Sequence, residues 1–188
     1  VVELVNNRER EYIFADLPDI GYSTDIDTVM ASSYQVKKQL QQIVKIEQPI
    51  TNTLLYKRIL RIWNLTRVTT RLQVFIDNLL EDAYKDPLSG DTIIYWEDEE
   101  KAKDCDFYRI NSKRDILDIP ILEVMSAARY AIEQQISMPT EDLKRLTSQL
   151  LGFSRKGNNL DMVTEQTIQL LIDQGIFSHA NGMVSMNN

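Results

Sequence analysis

The chain has 188 residues, a hydrophobic content of 43% and a formal net charge of −7 at pH 7. This composition is typical of a globular protein with a buried core and excludes a wholly disordered chain. It contains no run of 18 apolar residues and no signal-peptide pattern at its start, so we expect a soluble, cytoplasmic protein. Because Val1 stands in place of a methionine, we also expect a segment of a longer protein.

The first element with a clear period is a helix. Residues 1–33 are acidic and show no sustained periodicity, so we expect an N-terminal arm or linker with a short strand at 12–14. From Tyr34 onward, apolar residues recur at spacings of three and four, which predicts a helix. This helix should end near Glu47, because Pro49 disfavours helical structure in the residue before it.

Two more helices are predicted to follow. Either Thr51 or Thr53 can cap the second helix, since a short hydroxyl side chain accepts a hydrogen bond from the free amides of the first turn. A break follows this helix, and a third helix with a continuous apolar stripe is predicted from about Thr69. On the second helix, Lys57 and Arg61 are one turn apart and lie on a different face from the apolar residues, and Arg67 and Arg71 lie at the start of the third helix.

A hairpin is predicted to complete this first group of elements. Residues 86–91 form a strong turn signal, and the β-branched and aromatic residues at 92–96 predict a strand. Three helices followed by a hairpin are typical of a winged helix, so we predict a first winged-helix-like unit at 34–98. The charged segment 99–119 is predicted to be an acidic, solvated connector.

The same order of elements is predicted again at 120–188. A helix is expected at 121–135, and a second helix opens at Pro139 and ends at Gly152. A third helix follows, and the pair Asn181-Gly182 between two short apolar runs is a strong hairpin signal. The sequence therefore predicts a mainly α fold with small β-hairpins, an α+β protein of tandem winged-helix-like units.

An internal repeat supports this organisation. The helix that contains Leu55 is matched 88 positions later by the helix that contains Leu143, and the similarity continues through the following turn. Pairing Ile76 with Ile168 changes the offset to 92. This change predicts about four extra residues in the loop before the third helix of the second copy.

Charge is distributed unevenly along the chain. Residues 34–76 carry eight basic residues and one acid, whereas the flanking segments 1–33 and 77–106 carry seven and eleven acids. The basic block 34–76 fits a surface that faces phosphates. It fits equally well a surface that docks against acidic segments of this chain or of its parent protein. The pI of about 4.8 argues against strong, indiscriminate DNA binding.

Catalysis by side chains is disfavoured. Cys105 and His179 are the only cysteine and the only histidine, which excludes internal disulfides, two-histidine metal motifs and most zinc sites. The acidic neighbours of Cys105 disfavour a reactive thiolate. The acidic runs lack a pattern that would gather carboxylates around a metal ion. We predict no enzymatic activity, no metal and no cofactor for this segment.

A set of short motifs resembles a known family. The motifs are Glu47-Gln48-Pro49-Ile50, Lys57-Arg58-Ile59, Trp63-Asn64-Leu65, Arg67, Arg109, Asp118-Ile119-Pro120 and Leu150-Leu151-Gly152-Phe153-Ser154-Arg155. Together they resemble a C-terminal domain of unknown function in large bacterial helicase-related proteins of superfamily 1, the DNA2/NAM7 type. The resemblance spans roughly 34–184. The family usually has glycine where Gln48 and Asn64 stand here.

The resemblance implies an accessory module beside DNA-processing domains. In that family the module follows a helicase core and often a small endonuclease-like domain, so the parent would be an ATP-dependent, helicase-related enzyme. None of the motifs is catalytic. The chain has no glycine-rich phosphate loop, so an ATPase would lie elsewhere in the parent.

Two functions are compatible with these observations. The first is DNA binding, mainly through the basic first winged helix, in which a third helix enters the major groove and nearby cations contact phosphates. The candidate nucleic-acid-binding residues are Lys57, Arg61, Thr66, Arg67, Thr69, Thr70, Arg71, Lys144, Arg145, Arg155, Lys156 and Asn158. The second is a protein-interaction or structural module that positions the helicase and nuclease parts without touching DNA. Neither function requires a membrane or a small-molecule substrate.

Overall fold

The computed structural model describes residues 6–103, 105–110 and 112–187. They form two compact units. The N-terminal unit contains residues 13–103, and the C-terminal unit contains residues 6–12, 105–110 and 112–187. Both units combine helices with small sheets, which confirms the predicted α+β class.

The elements follow one another as a mixture of helices and very short strands. In chain order they are β1 (Glu9–Glu11), α1 (Ile26–Ala31), α2 (Ser33–Glu47), β2 (Ile50–Thr51), α3 (Asn52–Ile62), α4 (Thr70–Leu79), β3 (Tyr84–Lys85), β4 (Ile94–Trp96), α5 (Glu99–Lys103), β5 (Tyr108–Ile110), α6 (Ile121–Glu133), β6 (Met138–Pro139), α7 (Thr140–Leu150), α8 (Asn158–Asp173), β7 (Phe177–Ala180) and β8 (Met183–Met186). A 3-10 turn at Ile116–Asp118 precedes α6.

The N-terminal unit is built around a three-stranded antiparallel sheet. Its strand order is β2-β4-β3, with Ile50 opposite Tyr95. Helices α2, α3 and α4 each bury apolar side chains at helical spacing. Leu40, Ile59 and Ile76 are examples, one from each helix. The order along the chain is helix, strand, helix, helix and two strands.

The C-terminal unit repeats this order with α6, β6, α7, α8, β7 and β8. Its antiparallel sheet has the order β6-β8-β7, with Met138 opposite Val184. Asn181 and Gly182 occupy the two-residue turn between β7 and β8 at φ values of 53° and 76°, as the predicted hairpin requires. A separate parallel pair, β1 with β5, places Glu9 opposite Tyr108.

The two copies keep one register through the third helix. Helices α3 and α7 begin 88 residues apart, and so do α4 and α8. The buried residues Leu72 and Leu160 also differ by 88. The predicted four-residue insertion before the last helix is therefore wrong. The two connecting loops have the same length, and α8 is longer than α4 at its C-terminal end.

The corner after the second helix has the same backbone geometry in the two copies. Asn64 and Gly152 lie at equivalent positions and adopt left-handed backbone conformations, with φ values of 47° and 90°. In the first copy, the amide of Leu65 donates to the carbonyl of Leu60 at 2.9 Å, and the same bond closes α7. This geometry favours glycine but also accepts asparagine, so the first copy can use Asn64 where the second has Gly152.

The segments predicted as an arm and a connector contain several short elements. The predicted arm 1–33 includes β1 and α1, and the predicted connector 99–119 includes α5, β5 and the 3-10 turn. The strand expected at 12–14 lies instead at Glu9–Glu11, where it pairs with β5. Pairing with a strand almost a hundred residues away leaves no periodic signal in so short a segment.

Candidate nucleic-acid interface

The corner between α3 and α4 carries the candidate residues of the first copy. Threonines cap both helices: the Thr51 hydroxyl accepts from the Leu54 amide at 3.3 Å, and the Thr69 hydroxyl accepts from the Leu72 amide at 3.2 Å. The sequence allowed either Thr51 or Thr53 as the N-cap of α3, and the structure shows that Thr51 has this role. Thr69 is half-buried, and its oxygen holds the first turn of α4.

The basic side chains near this corner are exposed. Lys57 and Arg61 lie one turn apart on the same side of α3, and Arg67 lies in the loop before α4. Arg61 and Arg67 form no ion pair with any part of the chain that the structure describes. Thr66 in the middle of this loop and Thr70 at the start of α4 are also exposed. The corner therefore presents accessible cations and hydroxyl groups together.

Arg71, in the first turn of α4, has an acidic neighbour. Its guanidinium lies 2.8 Å from the Asp27 carboxylate of α1, and both side chains are more than half exposed, at 56% and 75%. An exposed pair of this kind contributes at most about 1 kcal/mol, since water and salt screen it. Asp27 therefore competes only weakly with any other anion that approaches Arg71.

The only acid of α4 does not face outward. The hydroxyl of Tyr56 on α3 lies 2.7 and 2.8 Å from the two carboxylate oxygens of Asp77, and that of Tyr95 on β4 lies at 3.5 Å. Burial and the nearby Asp77 charge raise the pKa of the Tyr56 hydroxyl, which stays protonated and donates to this carboxylate. Asp77 is therefore directed toward α3 and β4, and α4 itself contributes no other carboxylate.

The C-terminal unit places its candidate lysine differently. Lys144 is buried on α7 and lies 2.7 Å from Asp161 and 3.0 Å from Glu165, both on α8, and 3.3 Å from Glu141. Burial lowers the pKa of Lys144, but hydrogen bonds to these carboxylates outweigh this effect and raise it. Three carboxylates already satisfy the three donors of this ammonium group.

The other candidates of the C-terminal unit are exposed. Arg145 pairs with Asp142 one turn earlier on α7 at 3.0 Å. Arg155 and Lys156 lie in the loop before α8, and Asn158 is the first residue of that helix. The exposed surface of α8 carries carboxylates and no basic residue. The structure thus concentrates accessible cations at the N-terminal corner and mixed charges at the C-terminal one.

Sequence reasoning missed a buried ion cluster in the C-terminal unit. Glu123 is fully buried on α6 and accepts from two arginines, Arg109 at 2.5 Å and Arg114 at 2.7 and 2.8 Å. The ring of Tyr12 stacks against both guanidinium groups, at 4.7 and 4.2 Å. Arg109 is one of the residues on which the sequence resemblance rests, and no other sequence signal points to it; in the structure it is buried in this ion cluster.

A similar pair lies in the N-terminal unit. Glu47, the only acid of the basic block, is fully buried and lies 2.9 Å from Arg58. It also accepts from the amide of Ala15 at 3.0 Å, and Arg58 donates to the Ala15 carbonyl. Both charged residues carry the family resemblance. Their contacts hold the segment before α1 against α2 and α3, so these motif residues stabilise the fold.

Within residues 6–103, 105–110 and 112–187, no three or more metal-ligating side chains come together, and no helix is both long enough and apolar enough to cross a membrane.

Comparison with known proteins gives one partial match. A family model described as "Protein of unknown function (DUF3320)" matches residues 31–74, from the end of α1 to the middle of α4. This stretch contains the exposed cations of the corner, and the match supports a domain of unknown function there. No curated protein and no solved structure gives a significant match.

Proposed function

We propose that the N-terminal unit binds DNA through the corner between α3 and α4, as a non-catalytic accessory module of a DNA-processing protein. In this proposal each unit is a winged helix, with α4 and α8 as third helices and the β3–β4 and β7–β8 hairpins as wings. The order of elements and the strand orders β2-β4-β3 and β6-β8-β7 support this assignment.

One observation carries the DNA-binding proposal. Arg61 and Arg67 are exposed around a helix whose only acid is directed toward α3 and β4, and no described residue pairs with them. Such accessible cations bind the phosphate backbone of DNA, and the affinity of the protein for DNA then comes largely from the release of counterions. In the C-terminal unit, Arg155 and Lys156 are likewise exposed without a described ion pair, but the adjoining α8 carries the exposed carboxylates of Asp161 and Glu165. The first copy is therefore the better DNA-binding surface.

The resemblance to C-terminal modules of helicase-related proteins supplies the context of the proposal. A module of this kind would hold the nucleic acid while other domains of the parent act on it. The corner contributes affinity and orientation, and phosphate contacts do this without reading sequence.

A salt titration tests this function. We expect the full chain to bind a short duplex at low salt and to lose affinity steeply as salt rises. Replacing Arg61 and Arg67 with alanine should lower the magnitude of the logarithmic salt slope by about two, because each removed phosphate contact reduces it by about one. The matched control replaces Arg155 and Lys156, in the equivalent loop of the second copy, and should change the slope far less.

The outcomes separate the two functions. Equal slopes for the wild type and the Arg61/Arg67 variant would contradict a role for this corner. Absence of binding to both duplex and single-stranded DNA at low salt would favour the protein-interaction module instead.

A single substitution on α1 should strengthen binding. Asp27→Asn removes the carboxylate beside Arg71, and we expect the affinity for duplex DNA at low salt to rise by up to about fivefold. Asp16→Asn is the matched control, because it removes one exposed negative charge from the same unit. A similar gain from both variants would show that only net charge matters.

A further inference from the structure

The outward face of α4 contains an apolar side chain that is exposed and does not pack in the core. Val74 is 54% exposed, whereas Leu72 and Ile76 on the opposite side are buried. Arg71 lies one turn before Val74, and the exposed Asn78 lies one turn after it. These three residues form a row along the helix, with an aliphatic group between a cation and an amide.

The second copy provides a comparison at the same position. Met162 on α8 is 88 residues after Val74 and is 45% exposed, so the fold presents this position outward in both units. Its surroundings differ in charge. Glu165 is equivalent to Asp77, and both acids face the preceding helix, but α8 also carries Asp161, whose equivalent in α4 is Gln73. The row on α4 also contains a cation, Arg71, where α8 has Asn159, so α4 is the better placed of the two helices to approach a polyanion.

We propose that Val74 and Asn78 are specificity-determining residues that read base edges in the major groove of duplex DNA. This inference rests on the proposed function. An aliphatic side chain packs against the C5-methyl group of thymine, and an asparagine amide pairs in a bidentate manner with adenine. The Asn78 amide has no hydrogen-bond partner among the residues that the structure describes.

The spacing along the helix sets the expected spacing along the DNA. Four residues of an α-helix rise by about 6 Å, and successive base pairs lie about 3.4 Å apart. Val74 and Asn78 should therefore read positions about two base pairs apart. Because uracil lacks the methyl group that Val74 would contact, the preferred ligand is thymine-containing duplex DNA.

The experiment begins with selection of preferred duplexes from a random library by the full chain. Binding to the selected duplex is then compared with binding to duplexes in which each thymine in turn is replaced by deoxyuridine. One such replacement should weaken the wild type about fourfold, the effect of exposing one buried methyl group. Val74→Ala should lose this sensitivity and Met162→Ala should keep it. Selection with Asn78→Ala should lose the adenine preference about two base pairs away.

Each alternative outcome overturns the inference. Equal sensitivity to deoxyuridine in wild type and Val74→Ala would remove Val74 from base recognition. Steep salt-dependent binding without any selected sequence would leave the proposed function intact and contradict specificity. Absence of DNA binding at low salt would contradict both the proposed function and this inference. Thermal unfolding of each variant confirms that it is folded, and an exposed alanine on a helix should not destabilise it.

Discussion

Replacing Glu123 with alanine should destabilise the C-terminal unit by about 3–5 kcal/mol. The substitution leaves the guanidinium groups of Arg109 and Arg114 buried without their carboxylate, and an unpaired buried charge is among the most costly defects in a protein core. It also removes the acceptor of the Arg109 amide, which donates to Glu123 at 2.9 Å. Urea unfolding followed by far-UV circular dichroism measures the effect.

A second glutamate on the same helix serves as the control. Glu133 pairs with Arg8 through two hydrogen bonds of 2.8 and 3.0 Å, but this pair is partly exposed. Glu133→Ala should therefore cost no more than about 1 kcal/mol. Equal losses of unfolding free energy in the two variants would show that the Glu123 cluster contributes no more than a surface pair.

The same cluster predicts a dependence on pH. Burial alone would raise the pKa of Glu123, but the charges and hydrogen bonds of Arg109 and Arg114 outweigh it and lower this pKa. Because the folded-state pKa lies below the unfolded value of about 4.3, the carboxylate stabilises the unit fully above that pH. The stabilisation is lost as pH falls through the folded-state pKa. Glu123→Ala should lack this acidic component of unfolding.

Replacing Glu47 with alanine should destabilise the N-terminal unit by about 3 kcal/mol. Arg58 would lose its buried carboxylate and the Ala15 amide would lose its acceptor, although Arg58 keeps its bond to the Ala15 carbonyl. Both tryptophans, Trp63 and Trp96, are buried in this unit, so tryptophan fluorescence during urea unfolding reports on it directly.

The control for Glu47 is an exposed acid of the same unit. Asp82 lies 3.7 Å from Lys37, and its side chain is almost fully exposed. Asp82→Ala should change the free energy of unfolding by less than about 0.5 kcal/mol. If both variants unfold at the same urea concentration as the wild type, the Glu47 contacts do not stabilise the segment before α1.

The sequence predicted those elements whose signals are local. Helices α2 to α4 follow from apolar spacing and threonine caps, and the second hairpin follows from Asn181-Gly182. The repeat was also visible, but aligning Ile76 with Ile168 introduced a false insertion. Ile76 is equivalent to Thr164, a buried polar residue whose hydroxyl is satisfied by the Leu160 carbonyl at 2.8 Å. An alignment that matches apolar residues to apolar residues does not pair Ile76 with a threonine.

Contacts that join distant segments could not be predicted in this way. Lys144 looked like a solvent-facing cation on an amphipathic helix, but two of its three carboxylates come from the next helix. The strands β1 and β5 pair with each other although most of the N-terminal unit lies between them in the sequence. No local sequence pattern signals this register. Glu123 and its two arginines converge from separate segments in the same manner.

The candidate DNA-binding residues of the two copies have different surroundings in the structure. The candidates around α3 and α4 are accessible, with Thr69 serving as an N-cap and Arg71 lying beside Asp27. Those of the second copy share their surface with carboxylates. The charge asymmetry visible in the sequence therefore agrees with the asymmetry of the two corners, and it is the reason for assigning DNA binding to the first copy.

The central claim is that DNA contacts the corner between α3 and α4. Hydrogen exchange of the full chain, measured at low salt with and without a short duplex, tests it most directly. We expect slower exchange in peptides that cover residues 57–78 and unchanged exchange in those that cover the equivalent residues 145–166. Protection confined to 145–166, or bound DNA that protects neither segment, would contradict the proposed interface.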